Sequence, residues 1–292
     1  MSTRKGITAL ILVTMFWGTT FPVIKSLMRY ISPSTYATLR SILAALILLP
    51  FILHGHRKRL LNVLKAGFVL GFLYFTGLFL QAWGMVYTEA SSAAFITSFN
   101  VPLVCVLEIL ILKRRPSLRL IISMILAVAG VMLLTVNFKN LSISKGDFLV
   151  LACTIFWAFQ VIFIDMYSKT YDVLVLTFLQ LLLSGLLGLV ITPILGQISP
   201  LGKNALLLLG YLAIFCSSLT CFLQIYGQQF TTSTQAAIIY ALEPVFASFF
   251  SYILLHEILT PLRYIGASFV IIATILASTS SATLITSKER NT

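Results

Sequence analysis

The chain has 292 residues, 59% hydrophobic and 10% charged, with a mean hydropathy of +1.02 and a formal net charge of +12. Soluble domains carry about 25% charged residues, so the composition excludes a soluble domain and points to a polytopic membrane protein. The positive charge fits Lys and Arg gathered in loops on one side of a bilayer; no basic stripe interleaved with aromatics suggests nucleic acid.

Apolar runs separated by polar or Gly/Pro breaks predict ten membrane helices, at 6–25, 34–53, 64–86, 91–112, 118–136, 147–167, 173–195, 205–228, 232–255 and 262–280. A spanning helix needs about 20 apolar residues, so ten of them leave only short loops. The first run lacks an A-x-A cleavage site and reads as a retained helix rather than a signal peptide. Thirteen of the 20 Lys and Arg fall on the side of the N-terminus, which predicts both termini in the cytoplasm. Cys105, Cys153, Cys216 and Cys221 lie in apolar runs without CxxC spacing and read as buried thiols.

The chain repeats itself. Thr14-Met15-Phe16-Trp17 returns in the second half as Thr154-Ile155-Phe156-Trp157, and Gln81-Ala82-Trp83-Gly84 returns as Gln224-Ile225-Tyr226-Gly227, at nearly the same offset. Asn100 matches Glu243, and Pro102 and Pro244 are out of register by one residue. Each half then holds five helices, 1–138 and 139–292, and an odd number makes the second half enter the membrane from the opposite side. The expected fold is all-α, ten transmembrane helices in two inverted five-helix repeats. Many secondary transporters share this plan, with the binding site at the repeat interface near the midplane.

Phe16-Trp17-Gly18 with Pro22, the stretch 34–44 with Arg40, and Ala241-Leu242-Glu243-Pro244 running to Leu255-His256-Glu257 resemble the drug/metabolite transporters of the ten-helix, EamA type. The resemblance covers nearly the whole chain. It departs where Arg114 stands in place of the usual acid closing the fourth helix. It implies transport of small metabolites, such as amino acids or drug-like compounds, through a central cavity. Efflux across a bacterial inner membrane is the expected setting. No cofactor is implied, and the expected partners are a small solute, the lipid bilayer and protons, in a monomer or homodimer.

Glu243 lies among apolar residues, where a charge is costly in lipid and marks a functional site by default; a structural cap for the helix broken at Pro244 is the alternative. Tyr240 and Ala236 sit one and two turns before it, on the same face. Gln81 and Gln224 are expected either to flank the cavity or to bond between helices, and Tyr74 shares a face with Gln81. Trp17 and Trp157 are candidates for a stacking wall, with interfacial anchoring as the alternative. Asn100 would leave one acid at the site rather than two. Arg40 is expected to pair, to bind an anionic solute or to snorkel. Glu108 and Asp165 read as proton carriers or salt-bridge partners, and Glu257 as a gate or loop contact. The three histidines form no metal cluster, and no HExxH, GxSxG or phosphate-binding loop is present. An intramembrane lipid flippase or lipid-modifying enzyme is the alternative function, weakened by the lack of a catalytic set.

Overall fold

Three of the expected spans are each divided into two shorter helices, close to a Gly or a Pro. The computed structural model describes residues 2–55, 60–135, 144–255, 261–279 and 283–284. The first span is α1 (Ser2–Trp17) with α2 (Thr20–Leu27); α3 (Pro33–Leu53) and α4 (Leu60–Tyr87) follow, then α5 (Ala90–Ser98) with α6 (Asn100–Leu112), and α7 (Leu118–Thr135). The second half has α8 (Lys145–Ser168) and α9 (Val173–Ile194), then α10 (Lys203–Ala213) joined by a π turn (Ile214–Leu219) to α11 (Thr220–Gln228), then α12 (Ser233–Tyr240) with α13 (Glu243–Leu255), and α14 (Pro261–Ser278). Eight of these segments are long and apolar enough to cross a membrane, and Leu118–Leu134 is a shorter apolar helix. One two-residue pairing, β1 (Arg114–Arg115) with β2 (Thr283–Leu284), qualifies the all-helical expectation.

Four of the helix starts carry side-chain caps. The Ser32 hydroxyl accepts from Thr35 N ahead of α3, and the Asp172 carboxylate accepts from Leu174 N and Val175 N ahead of α9. These two caps occupy repeat-related positions, separated by the same offset as Trp17 and Trp157. Capping boxes start α8 (Ser144 with Asp147) and α12 (Thr232 with Gln235).

The packing follows the repeat. α1 lies on α11 and α4 on α8, contacts that the inversion exchanges; α3 with α9 and α7 with α14 are pairs that it returns to themselves. Small residues allow the close approach. A Cβ added at Gly84 would lie 2.8 Å from the Gly146 carbonyl oxygen, and one added at Gly6 would lie 2.8 Å from the Gly227 carbonyl oxygen. Those are the same contact in the two halves.

Three features depart from a set of ten continuous helices. The first span breaks at Gly18–Thr19, where Gly18 lets the chain press on α13: an added Cβ would lie 2.9 Å from Ala247 N and 3.0 Å from the Glu243 carbonyl oxygen. The fourth and ninth spans break at Phe99 and at Ala241–Leu242, and Phe99 and Leu242 are separated by the same offset as Gln81 and Gln224. Pro102 and Pro244, lacking an N–H, cannot bond back to the carbonyls of Ser98 and Tyr240. The eighth span carries the π turn, which no residue in the sequence announces.

Overpacking a close helix contact costs about 1–3 kcal/mol. Gly84→Ala is therefore expected to lower the unfolding midpoint in detergent. Gly210→Ala, where an added Cβ meets nothing within 4 Å, is expected to leave it unchanged or raise it.

Candidate functional site

The helix breaks face a common space. Glu243 is the first residue of α13 and Asn100 the first of α6, so each half turns a helix start and its polar side chain inwards at the same level. They line a cavity of about 840 Å³, counting its open mouth, together with Trp17, Arg40, Tyr74, Gln81, Trp157, Gln224 and Tyr240. Most of the residues picked out along the sequence from both halves thus meet at one place, while Glu108 and Asp165 lie elsewhere. Ala236 does not reach it: it is buried in helix packing, and Ala237 lines the cavity instead. Glu257 lies outside the described residues.

Arg40 does not snorkel. It is 3% exposed, and its guanidinium donates through Nε to the Ser217 hydroxyl (2.6 Å), through Nη1 to the Tyr36 hydroxyl and through Nη2 to the Cys216 carbonyl. Ser217 also accepts from the Tyr74 hydroxyl at 3.0 Å. The π turn thus offers both a backbone and a side-chain acceptor to α3, a common use of such turns at functional sites. A guanidinium has five N–H donors, and three of Arg40's are engaged in these bonds.

The two tryptophans occupy equivalent places with different partners. Trp17 donates to the Thr220 hydroxyl at 3.2 Å, and its ring centre lies 5.3 Å from that of Tyr240. Trp157 lies over Gly77, the repeat position of Thr220, and its ring centre is 5.8 Å from that of Tyr74. Among the described residues, Glu243 forms no hydrogen bond and no ion pair, and three buried amide atoms on the cavity are likewise without partners: Asn100 Oδ1, Gln160 Nε2 and Gln224 Oε1. Gln160, with Thr20, Thr97 and Ser98, is a cavity residue that the sequence reading passed over. Thr20 and Gln160 are separated by the Trp17–Trp157 offset, so the repeat held the signal.

A second polar cluster lies away from the cavity, on the face that carries the start of α1. Glu108 accepts from Thr234 N (2.8 Å) and from the Thr234 hydroxyl, while Asp165 accepts from the Ser233 hydroxyl (2.8 Å), from Arg114 (2.6 Å) and from Lys169. Arg114 also stands 3.6 Å from Glu108. Two carboxylates from α6 and α8 thus cap the start of α12, and Arg114 bridges them. Lys113, in the left-handed conformation at φ 52°, turns the chain after α6 ahead of Arg114. On the opposite face Lys25 caps α4, donating to the Met85 and Thr88 carbonyls at 2.6 and 2.7 Å. No group of three His, Cys, Asp or Glu that could hold a metal gathers among the described residues.

Residues 4–136 and 144–279 each match the profile of the EamA-like transporter family. A protein of Archaeoglobus fulgidus described as an uncharacterized transporter is 33% identical over 269 residues, covering 92% of this chain and 84% of its own. A chloroplastic WAT1-related protein of Arabidopsis thaliana is 26% identical, covering 93% of this chain and 69% of its own. A solved crystal structure superposes with a TM-score of 0.78 at 14% identity, covering 94% of this chain and 96% of the other, which shows a shared fold.

The Arg114–Asp165 bridge should be measurable as a coupling. In a double-mutant cycle with Arg114→Ala and Asp165→Ala, unfolding in detergent is expected to give an interaction of about 1–3 kcal/mol. Additive single effects would show that the two side chains do not support each other.

Proposed function

Because the chain belongs to the EamA-like transporter family, we propose that it is a secondary transporter of small organic metabolites, working by alternating access in the direction of efflux. The supporting observation is a cavity built from both halves, at helix breaks in repeat-equivalent positions, with an unpaired carboxylate on its wall. Residues 1–138 and 139–292 are the moving halves. The Glu108–Arg114–Asp165 cluster is the bolt that holds one face closed, because it ties α12 to α6 and α8. Both termini are assigned to the cytoplasm of a bacterial cell from the distribution of Lys and Arg.

Protons are the coupling ion in this reading. Glu243 is the acid on the cavity wall, and the other titratable groups lining it are Arg40, Tyr74 and Tyr240. A carboxylate that binds either a proton or a cationic group of the solute exchanges one for the other, so an inward proton gradient drives the solute outward. The sparse catalytic inventory weighs against the lipid-modifying alternative.

The test is flux in vesicles containing the purified protein, followed in both directions with mass-resolved mixtures of small metabolites. Protein-dependent movement of a solute class is expected, with a rate that changes between about pH 5.5 and about pH 8 and loses that dependence in Glu243→Gln. An unaltered pH profile in that variant would remove Glu243 from the coupling. Absence of flux for every solute, with folded protein in the vesicles, would remove the transporter reading.

A further inference from the structure

Arg40 and Gln180 are repeat mates, separated by the Trp17–Trp157 offset and equally far past the caps Ser32 and Asp172. Their surroundings differ. Arg40 is held by bonds to Tyr36, Cys216 and Ser217. Gln180 is 0% exposed and does not line the cavity, and both polar atoms of its side-chain amide lack a hydrogen bond among the described residues. A buried donor and acceptor left unpartnered carry the full cost of desolvation, and an apolar side chain of the same size would avoid it. Packing between helices gives no reason for an amide here.

The neighbours of Gln180 supply one. Tyr74 and Ser217 are also repeat mates, separated by the Gln81–Gln224 offset, and the Tyr74 hydroxyl donates to that of Ser217 at 3.0 Å. A bond between mates lies on the pseudo-two-fold axis that relates the halves. Arg40 reaches that bond from the Ser217 side, at 2.6 Å. Gln180 stands on the Tyr74 side. Gly71, one turn before Tyr74, is packed against it: an added Cβ would lie 3.0 Å from the Gln180 carbonyl oxygen. The Cys221 thiol adjoins both the Tyr74 hydroxyl and the Gln180 side chain.

We infer that Gln180 is a positioning residue for the opposite-facing conformation, in which its Oε1 accepts from the Tyr74 hydroxyl as Ser217 now accepts from Arg40. This rests on the alternating-access reading and deepens it. Inverted halves that exchange conformations interconvert the two faces, and the exchange also swaps the bonds made by mates. Arg40–Ser217 is the latch of one conformation and Gln180–Tyr74 the latch of the other. A charged guanidinium makes the stronger bond and a neutral amide the weaker, so the resting protein favours the conformation with Arg40 latched.

The test needs no solute. The full chain, with its four native cysteines replaced by alanine and carrying Asn100→Cys on the cavity wall, is placed in oriented vesicles. A membrane-impermeant maleimide is added from one side or the other. The Glu108–Arg114–Asp165 bolt is engaged in this structure, so the face bearing the start of α1 is the one that opens in the other conformation. Gln180→Leu and Gln180→Met keep the size of the side chain and remove its amide. Each is expected to lower labelling from that face about tenfold relative to labelling from the opposite face. Each is also expected to leave the unfolding midpoint in detergent unchanged or raised, because the unpartnered amide is gone. An unchanged labelling ratio would remove Gln180 from the exchange, and a lowered midpoint in both variants would make it a support of the present conformation; either result overturns the inference and leaves alternating access standing. Labelling from one side alone in the parent chain would overturn alternating access, and the latch with it.

Discussion

In hydrocarbon every backbone polar group must find a partner within the protein, and a proline removes a donor at nearly the same level in each half, just inside the helix that follows a break. Pro102 and Pro244 have no N–H to return to the preceding turn, so the fourth and ninth spans break, and the freed backbone can only be tolerated facing protein or water. The rest of the site follows. Each break starts a new helix, and each new helix begins with a polar residue, Asn100 in one half and Glu243 in the other. The cavity forms where the two starts converge, and the π turn of the eighth span brings Cys216 and Ser217 to Arg40 beside it.

Duplication supplies the frame, and divergence within it supplies the chemistry. The glycine contacts Gly6–Gly227 and Gly84–Gly146 are the same joint made twice. The polar positions are not copied. Glu243 stands opposite Asn100, Thr220 opposite Gly77, and Asp165 stands where the first half has Lys25. The halves are therefore equivalent in shape and unequal in charge. In the proposed alternating-access reading, two faces would open in turn while a bound solute would meet one acid. The same inequality places the bridged carboxylates at one face, while the other is held by Lys25 on backbone carbonyls.

Much of this was legible in the residues. Ten apolar runs, an odd number in each half, and matched Trp and Gln pairs were enough to expect an inverted repeat and a shared cavity. The structure places Trp17, Tyr74, Gln81, Asn100, Trp157, Gln224, Tyr240 and Glu243 on that cavity. What stayed hidden depended on contacts between distant segments. Arg40, two turns into α3, gives no hint along the chain that its acceptors lie on a π turn in the other half. The break at Gly18 depends on how closely α13 approaches, and a helix of apolar residues reads as continuous until its neighbour is known. Gln160 was readable through its repeat partner Thr20, but a Gln and a Thr look unrelated until the repeat offset is applied to them.

The central claim is that one cavity communicates with both faces of the membrane in turn. It is tested most directly by placing a cysteine at Asn100 in a chain whose four native cysteines, all buried and unbonded, are replaced by alanine. A membrane-impermeant maleimide is then added from one side or the other of oriented vesicles. The account predicts labelling from each side, and a shift toward the face bearing the start of α1 when Asp165→Asn weakens its bolt. Labelling from one side alone, unchanged by that substitution, would contradict it.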